Sequence, residues 1–341
     1  MRKLIWMFGF VLFACFSVRA AGYRFFHPAN LLGLPHQQVE ALAQDGKGNI
    51  WIGTRNGLVR FDGYVTRCYY NEGTDNSLAH NFVRKLFVDS KQQLWICTQR
   101  GISQYRPASD DFKNYDLSGC YIQSIAESGH GKLFCAGDRL FVYDEQKDSF
   151  DALPSVGEGF ILSLAVDKKD NLYVGTNSSI YTYDATLTKI SRLAPQYYSD
   201  FITGFDGIMP MLVDHEGRLW IGRNGKGVMA IDLSNWHSEI FDAEKLSDGT
   251  VRTICEDRKN RIWLGTEGGL TVIRPDGGID IIRQNFNNDK LLSDNAIYTV
   301  LCDRDNNIWV GSYFGGVDVM RGDHPFTCKG GETMRVKVRS V

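Results

Sequence analysis

One phrase is written seven times along this chain, and no other feature limits its fold so sharply. The clearest copy runs from Val39 to Phe61. An apolar stretch closes at Asp45, a tight turn follows, then Trp51-Ile52-Gly53-Thr54, a second turn, and Gly57-Leu58. The phrase returns with Asp89 and Trp95, Glu127 and Phe134, Asp167 and Tyr173, Asp214 and Trp220, Asp257 and Trp263, and Asp303 and Trp309. A period of roughly 40–50 residues is that of a propeller blade, a sheet module that cannot bury its own apolar face and must stack on neighbours.

Each position has a physical reading. Val39, Ala41, Leu42 and Ala43 read as a buried strand. The Asp that closes it can bond its own backbone two residues on, which starts a turn. Three residues after the Asp stand Gly48, Gln92, Asp170, Gly217, Asn260 and Asn306, mostly types that tolerate positive φ. The Asp-to-Trp segment is therefore a hairpin turn. The third copy, Glu127 to Phe134, is one residue longer and is expected to carry a bulged or longer turn. Two residues after the aromatic come Gly53, Cys97, Ala136, Gly175, Gly222, Gly265 and Gly311, all small. Ring and gap share one strand face, so neighbouring sheets can interlock at close range. A third strand starts at Gly57, Gly101, Gly227, Gly269 or Gly316. Fourth-strand candidates are Thr66–Tyr70, Lys113–Tyr115, Lys189–Leu193, Ser238–Phe241 and Asp280–Arg283.

The expectation is an all-β chain, a single seven-bladed β-propeller of four-stranded antiparallel blades over residues 22–326. The seventh copy, Ile297 to Met320, shows only three strands, and residues 23–27 resemble an outer strand with no blade of its own. That N-terminal strand is expected to close the last blade and remove a free edge. Phe326-Thr327-Cys328 is the competing candidate. Residues 327–341 leave the repeat.

At the start, Arg2-Lys3 precede a short apolar run, Leu4 to Phe16, with small residues near Ala20-Ala21. This reads as a signal peptide over residues 1–21 and a periplasmic location, with a lipid anchor at Cys15 as the lesser alternative. No other run is long enough to cross a membrane, so no span is expected in the mature chain. Lys plus Arg number 38 and Asp plus Glu 40, for a net charge of −2. That balance leaves no footprint for nucleic acid. Beyond the signal, Cys68, Cys97, Cys120, Cys135, Cys255, Cys302 and Cys328 form no CxxC pair and read as small buried residues.

The motifs of common chemistries are missing. The histidines form no HExxH, and there is no GxSxG elbow or phosphate loop. Gly48 and Gly217 stand three residues after Asp rather than two, unlike a sialidase Asp box, and the repeat Trp is never followed by Asp as in WD repeats. No enzyme activity, catalytic residue, metal or cofactor is expected. Trp236 lies outside the repeat position and reads either as exposed or as packed over a blade edge.

The segments Asp45-Gly-Lys-Gly-Asn-Ile-Trp-Ile-Gly-Thr-Arg-Asn-Gly-Leu58 and Asp257-Arg-Lys-Asn-Arg-Ile-Trp-Leu-Gly-Thr-Glu-Gly-Gly-Leu270, with the lead-in Leu34-Pro-His-Gln-Gln-Val39, are similar to the two-component regulator propeller repeat. The resemblance covers about residues 23–326. It implies the periplasmic part of hybrid two-component sensors of glycan-degrading bacteria. In that family two such propellers precede a β-sandwich, a membrane helix, a kinase and a response regulator, and the sensor region responds to oligosaccharides. This chain shows one propeller only, and is expected to be a truncated frame or sensor fragment. The implied partners are an oligosaccharide and a second propeller or homodimer mate. A carbohydrate-active secreted enzyme, a lyase or glycosidase, is the alternative; it would need acids such as Asp248 and Asp294 to converge on the axis. An inert scaffold is the third reading.

In a propeller, the loops entering the innermost strands share one face with the turns between second and third strands, and that face usually takes the ligand. It would carry Arg55, Arg100, Arg223, Asn224, His80, Asp294, Tyr313 and Phe314. Tyr313-Phe314 stands out, because two aromatics in a hairpin turn are not explained by turn chemistry.

Overall fold

Assembly of the ring begins at the turn that ends each first strand. In this computed structural model, which describes residues 22–28, 31, 33–117, 119–154, 160–188, 190–198, 201, 209–285 and 291–322, Asp45 does more than start that turn. Its Oδ1 accepts the backbone N–H groups of Lys47 and Asn49 at 2.9 and 3.0 Å, and its Oδ2 accepts the Trp51 indole N–H at 2.8 Å. The same carboxylate–indole bond joins Asp89 to Trp95, Asp214 to Trp220, Asp257 to Trp263 and Asp303 to Trp309, and the Tyr173 hydroxyl donates to Asp167 at 3.2 Å. One side chain thus satisfies both the turn and the polar edge of a buried ring. The third residue after the Asp has positive φ even where it is Gln92 (64°).

The third copy corrects the expected alignment. Ser128 N–H bonds Lys132 O at 2.9 Å, and Ser128 Oγ accepts the Lys132 N–H at 3.1 Å, the pattern that Asp45 makes with Asn49. Ser128, not Glu127, holds the acidic position, and the turn is no longer than the others. A serine oxygen can accept the turn N–H as an Asp does, so the register is kept while the acid moves one residue back. Glu127 instead accepts the Ser90 N–H and hydroxyl from the preceding blade at 2.8 and 2.7 Å.

Seven four-stranded antiparallel sheets result, as expected. Blade 1 runs outward through Val39–Gln44, Ile50–Thr54, Gly57–Phe61 and Thr66–Tyr69, and the other blades follow the same order. The first strands of successive blades touch all the way round, including Ile297–Cys302 of blade 7 against Val39–Gln44 of blade 1. These strands wall the axis. The small position works as read. A Cβ at Gly53 would come within 2.5 Å of Val83 in the next blade, and one at Gly311 within 2.5 Å of Val39. The large ring packs forward too, with Trp51 4.6 Å from Tyr105 of blade 2 and Trp95 5.0 Å from Tyr143 of blade 3.

Closure uses the N-terminal strand. Phe25–Phe26 pairs antiparallel with Val317–Met320, with Phe25 opposite Met320. Tyr23 ties the segment to blade 6, its hydroxyl donating to Asp280 at 2.9 Å. The competing segment 326–328, the tail, Cys328, and the signal region with Cys15 lie outside the described residues.

The Asp turns also link blade to blade. Arg304 of blade 7 donates to Gln44 Oε1 of blade 1 at 2.8 Å, the His215 N–H donates to Glu256 at 2.9 Å, and Lys168 reaches His215 O. Among the described residues the six cysteines are free thiols, no acid, His or Cys cluster suits a metal, and no helix is long and apolar enough to cross a membrane.

Candidate functional site

The end of the ring away from the Asp turns is built by lead-in loops and second-to-third-strand turns. They are bonded together: Arg55 N–H to Gln38 O, Gln99 N–H to Phe82 O, Glu267 N–H to Thr250 O, and Tyr313 N–H to Ala296 O. Just inside, the first strands bulge. The pairing register shifts between Val39 and Ala41, Val83 and Lys85, Val251 and Thr253, and Ile297 and Thr299. A bulge re-aims one side chain. The bulged residues Glu40, Arg84, Arg252 and Tyr298 are half-buried around the axial mouth, and a fifth, Leu162 between Ile161 and Ser163 of blade 4, is buried.

Arg84 is held flat between two rings, its Cζ 4.5 Å from the Phe82 centroid and 4.0 Å from that of Tyr121. Its Nε is buried without a partner. Burial pushes the guanidinium pKa down, against the pull of Glu40. Glu40 is pushed up by its own burial, against Arg84 and a 2.6 Å hydrogen bond from Gln38 Nε2. Arg55 lies 5.2 Å over Phe82 and donates to Gln38 Oε1 at 3.4 Å. On the far side of Glu40, Arg252 lies 4.3 Å over Tyr298 and pairs with Glu267. Tyr298 is 5.5 Å from Tyr313, which meets Phe314 edge-on at 4.3 Å. The Asp294 carboxylate accepts the Phe314 N–H at 2.7 Å, which fixes the turn and leaves the Phe314 ring 75 % exposed.

Four expected residues, Arg55, Asp294, Tyr313 and Phe314, therefore gather at this mouth. His80 and Arg100 sit together on blade 2, where burial and then Arg100 lower the His80 pKa, and His80 Nδ1 accepts the Phe82 N–H at 3.0 Å. Asn224 is exposed and accepts the Thr250 hydroxyl at 2.9 Å. Arg223 is a correction. It was expected in a surface turn, but it is fully buried at the end of the strand Arg218–Arg223. It takes the repeat position of Thr54, Thr98, Thr176, Thr266 and Ser312, each also fully buried, because the strand in blade 5 extends to that residue. Sequence reading passed over Glu40, Arg84, Arg252 and Tyr298. The signal was present: each directly follows the Val or Ile that opens its first strand, a charged or aromatic residue in an apolar run.

Residues 33–56, 245–268 and 291–314 match the two component regulator propeller family. These segments are similar to that family's repeat, as the recurring phrase implied. The fold is similar to the extracellular domain assigned to the hybrid two component system BT3049 of B. thetaiotaomicron (TM-score 0.74, 20 % identity, 88 % of this chain and 42 % of that one). It is also similar to that of BT4673 from the same organism (0.71, 21 %, 88 % and 40 %). Virginiamycin B lyase from Staphylococcus aureus shares the ring as well (0.65, 14 %, 84 % and 95 %). The chain spans about two fifths of the two extracellular domains it resembles. No curated protein matches the sequence.

Proposed function

We propose that this chain is an extracytoplasmic sensor-type propeller of a hybrid two-component system, without enzyme activity, whose axial mouth binds an oligosaccharide. Residues 22–326 form the sensing ring in this reading, residues 1–21 are the export signal, and a second propeller or second copy is the partner outside the mouth. One observation carries the proposal. The aromatic and guanidinium groups of blades 2, 3, 6 and 7 converge on one end of the axis, with Phe314 75 % exposed beside them. Sugars present polar edges and apolar faces, which suit planar donors and aromatic rings together. The regulator-type repeats at 33–56, 245–268 and 291–314 support the sensor class. The enzyme alternative needs Asp248 and Asp294 as reactive acids, yet both serve as caps: Asp248 accepts the Thr250 N–H at 2.7 Å and Asp294 that of Phe314 at 2.7 Å.

A glycan array with the purified chain tests this. Binding without product release is expected, and Phe314→Ala should weaken it about tenfold, a stacking contact of about 1.4 kcal/mol. Turnover of any glycan would move the chain to the enzyme class, and unchanged binding by Phe314→Ala would move the site away from the mouth.

A further inference from the structure

Two adjacent cations on the first strand of blade 2 make no ion pair or hydrogen bond with an acid among the described residues, and Arg84 feels only the more distant pull of Glu40. Arg84 is clamped between Phe82 and Tyr121, its Nε is buried without a partner, and none of its guanidinium nitrogens bonds to any of the described residues. Its planar fork of donors is therefore oriented but unused, although such a fork matches a carboxylate or sulfate closely. A buried donor without an acceptor is costly, and two clamping rings hold it there. The next residue, Lys85, is exposed on a strand that walls the axis. Lys85 stands opposite Cys97 in its own blade, and the thiol of Cys255, on the first strand of blade 6 across the ring, lies near enough to act on its ammonium. The side chain thus lies in the axial channel, open to channel water yet enclosed by protein, and burial pushes its pKa down.

The other charges do not cancel these two. Glu267 is engaged by Arg252. Glu40 is bonded by Gln38 and faces Arg55 and Arg252 as well as Arg84. The funnel from Arg84 down to Lys85 therefore carries net positive charge inside a low-dielectric wall, which concentrates anions.

We infer that Arg84 and Lys85 form an anion seat, so that the ligand of the axial mouth is an acidic saccharide whose carboxylate or sulfate enters the channel first. This rests on the oligosaccharide reading above and narrows it. Arg84 takes the anion on its free edge, Lys85 supplies the second charge below, and Tyr298, Tyr313 and Phe314 remain for the sugar rings. The seat explains why an Arg stands where Gln123 and Leu162 serve in blades 3 and 4, and a Lys where Ala41, Ser163, Thr253 and Thr299 serve in other blades.

Calorimetry with four probes separates the cases: trigalacturonate, its methyl ester, galactose 6-sulfate, and inorganic sulfate at matched ionic strength. Trigalacturonate or the sulfated sugar should bind at least about tenfold more tightly than the neutral ester, the scale of one charge-assisted bond. Which of the two binds better tells carboxylate from sulfate. Arg84→Gln and Lys85→Gln should each remove that preference, so that trigalacturonate and its ester bind alike, with melting temperatures at or above that of the wild type. If acid and ester bind alike and neither variant changes this, the anion seat is wrong while the sensing reading stands. If no saccharide binds but sulfate does, and Arg84→Gln abolishes it, the seat is right and the oligosaccharide reading fails. If sulfate binding is absent or indifferent to both variants, and no saccharide binds, both fall.

Discussion

At the Asp-turn end of the ring, Asp214 is fully buried, which works to raise its pKa. Bonds from the Trp220 indole at 2.7 Å, the Arg218 N–H at 2.9 Å and the Arg218 guanidinium at 2.7 Å outweigh that and hold it below the usual carboxylate range. At the axial mouth the shifts run the other way. Glu40 is pushed up, and Arg84 and Lys85 down, because burial there is not offset by nearby charge. At the turn end Asp214 is held in its charged form and so serves the fold. The other end keeps Glu40, Arg84 and Lys85 in a less favourable state, as a site for the proposed ligand would. Unsatisfied polar groups tend to be retained where activity needs them.

The largest expected effect breaks the turn end. The Asp257 carboxylate accepts the Lys259 and Arg261 N–H groups at 2.9 and 3.0 Å, the Arg261 guanidinium at 2.6 Å and the Trp263 indole at 2.8 Å. Asp257→Ala leaves an indole N–H and a guanidinium without their acceptor, and should cost about 3–5 kcal/mol. Ser128→Ala in blade 3, where Phe134 asks for no bond, loses only the hydroxyl contact to Lys132 and should cost about 1 kcal/mol. Urea unfolding compares them, and equal losses would show that the Asp–indole bond does not set the strength of a blade.

How far sequence reaches follows the same division. The Asp, the positive-φ residue, the aromatic and the small residue recur because each answers a local or nearest-neighbour demand. Period and residue type were therefore enough to read the blades and the closing strand Phe25–Phe26. Glu127 was misread because Ser128 meets the turn's need with different chemistry. The mouth was half legible. Tyr313-Phe314 and Arg55 stood out in turns, but Arg84 and Arg252 are aimed by a bulge that appears only when two strands pair. Arg223 resembled a surface turn residue because an Arg stands where the other blades place a Thr or Ser, although the phrase Trp220-Ile-Gly-Arg223 aligns it with Trp51-Ile-Gly-Thr54 at the strand end.

A middle-sized effect sharpens the comparison through pH. Asp214 has a folded pKa below its unfolded value of about 3.9, so its stabilisation is present above that pH and fades as pH falls through the folded pKa. Asp214→Asn should cost about 2 kcal/mol at pH 7, the worth of hydrogen bonds to a charged acceptor. That cost should shrink as both proteins are taken below pH ~4. A cost that stays constant from pH 7 to pH 3 in urea titrations would mean that shape, not charge, is what Asp214 contributes.

The smallest effect carries the opposite sign and tests the mouth directly. Glu40 has a folded pKa above its unfolded value of about 4.3, so its protonated form is the one the fold favours. Its contribution is fully present below the unfolded pKa and is lost as pH rises through the folded one. At pH 7 Glu40→Gln removes an ion that burial disfavours, keeps a partner for Gln38 and leaves the strand geometry alone. Arg55, Arg84 and Arg252 lose some attraction in exchange. The net expectation is a variant as stable as the wild type or more so by up to about 1 kcal/mol, with the difference closing as pH drops towards 4. A clear loss at pH 7 would mean that Glu40 is an anchor for the three arginines, and the contrast between the two ends of the ring would then disappear.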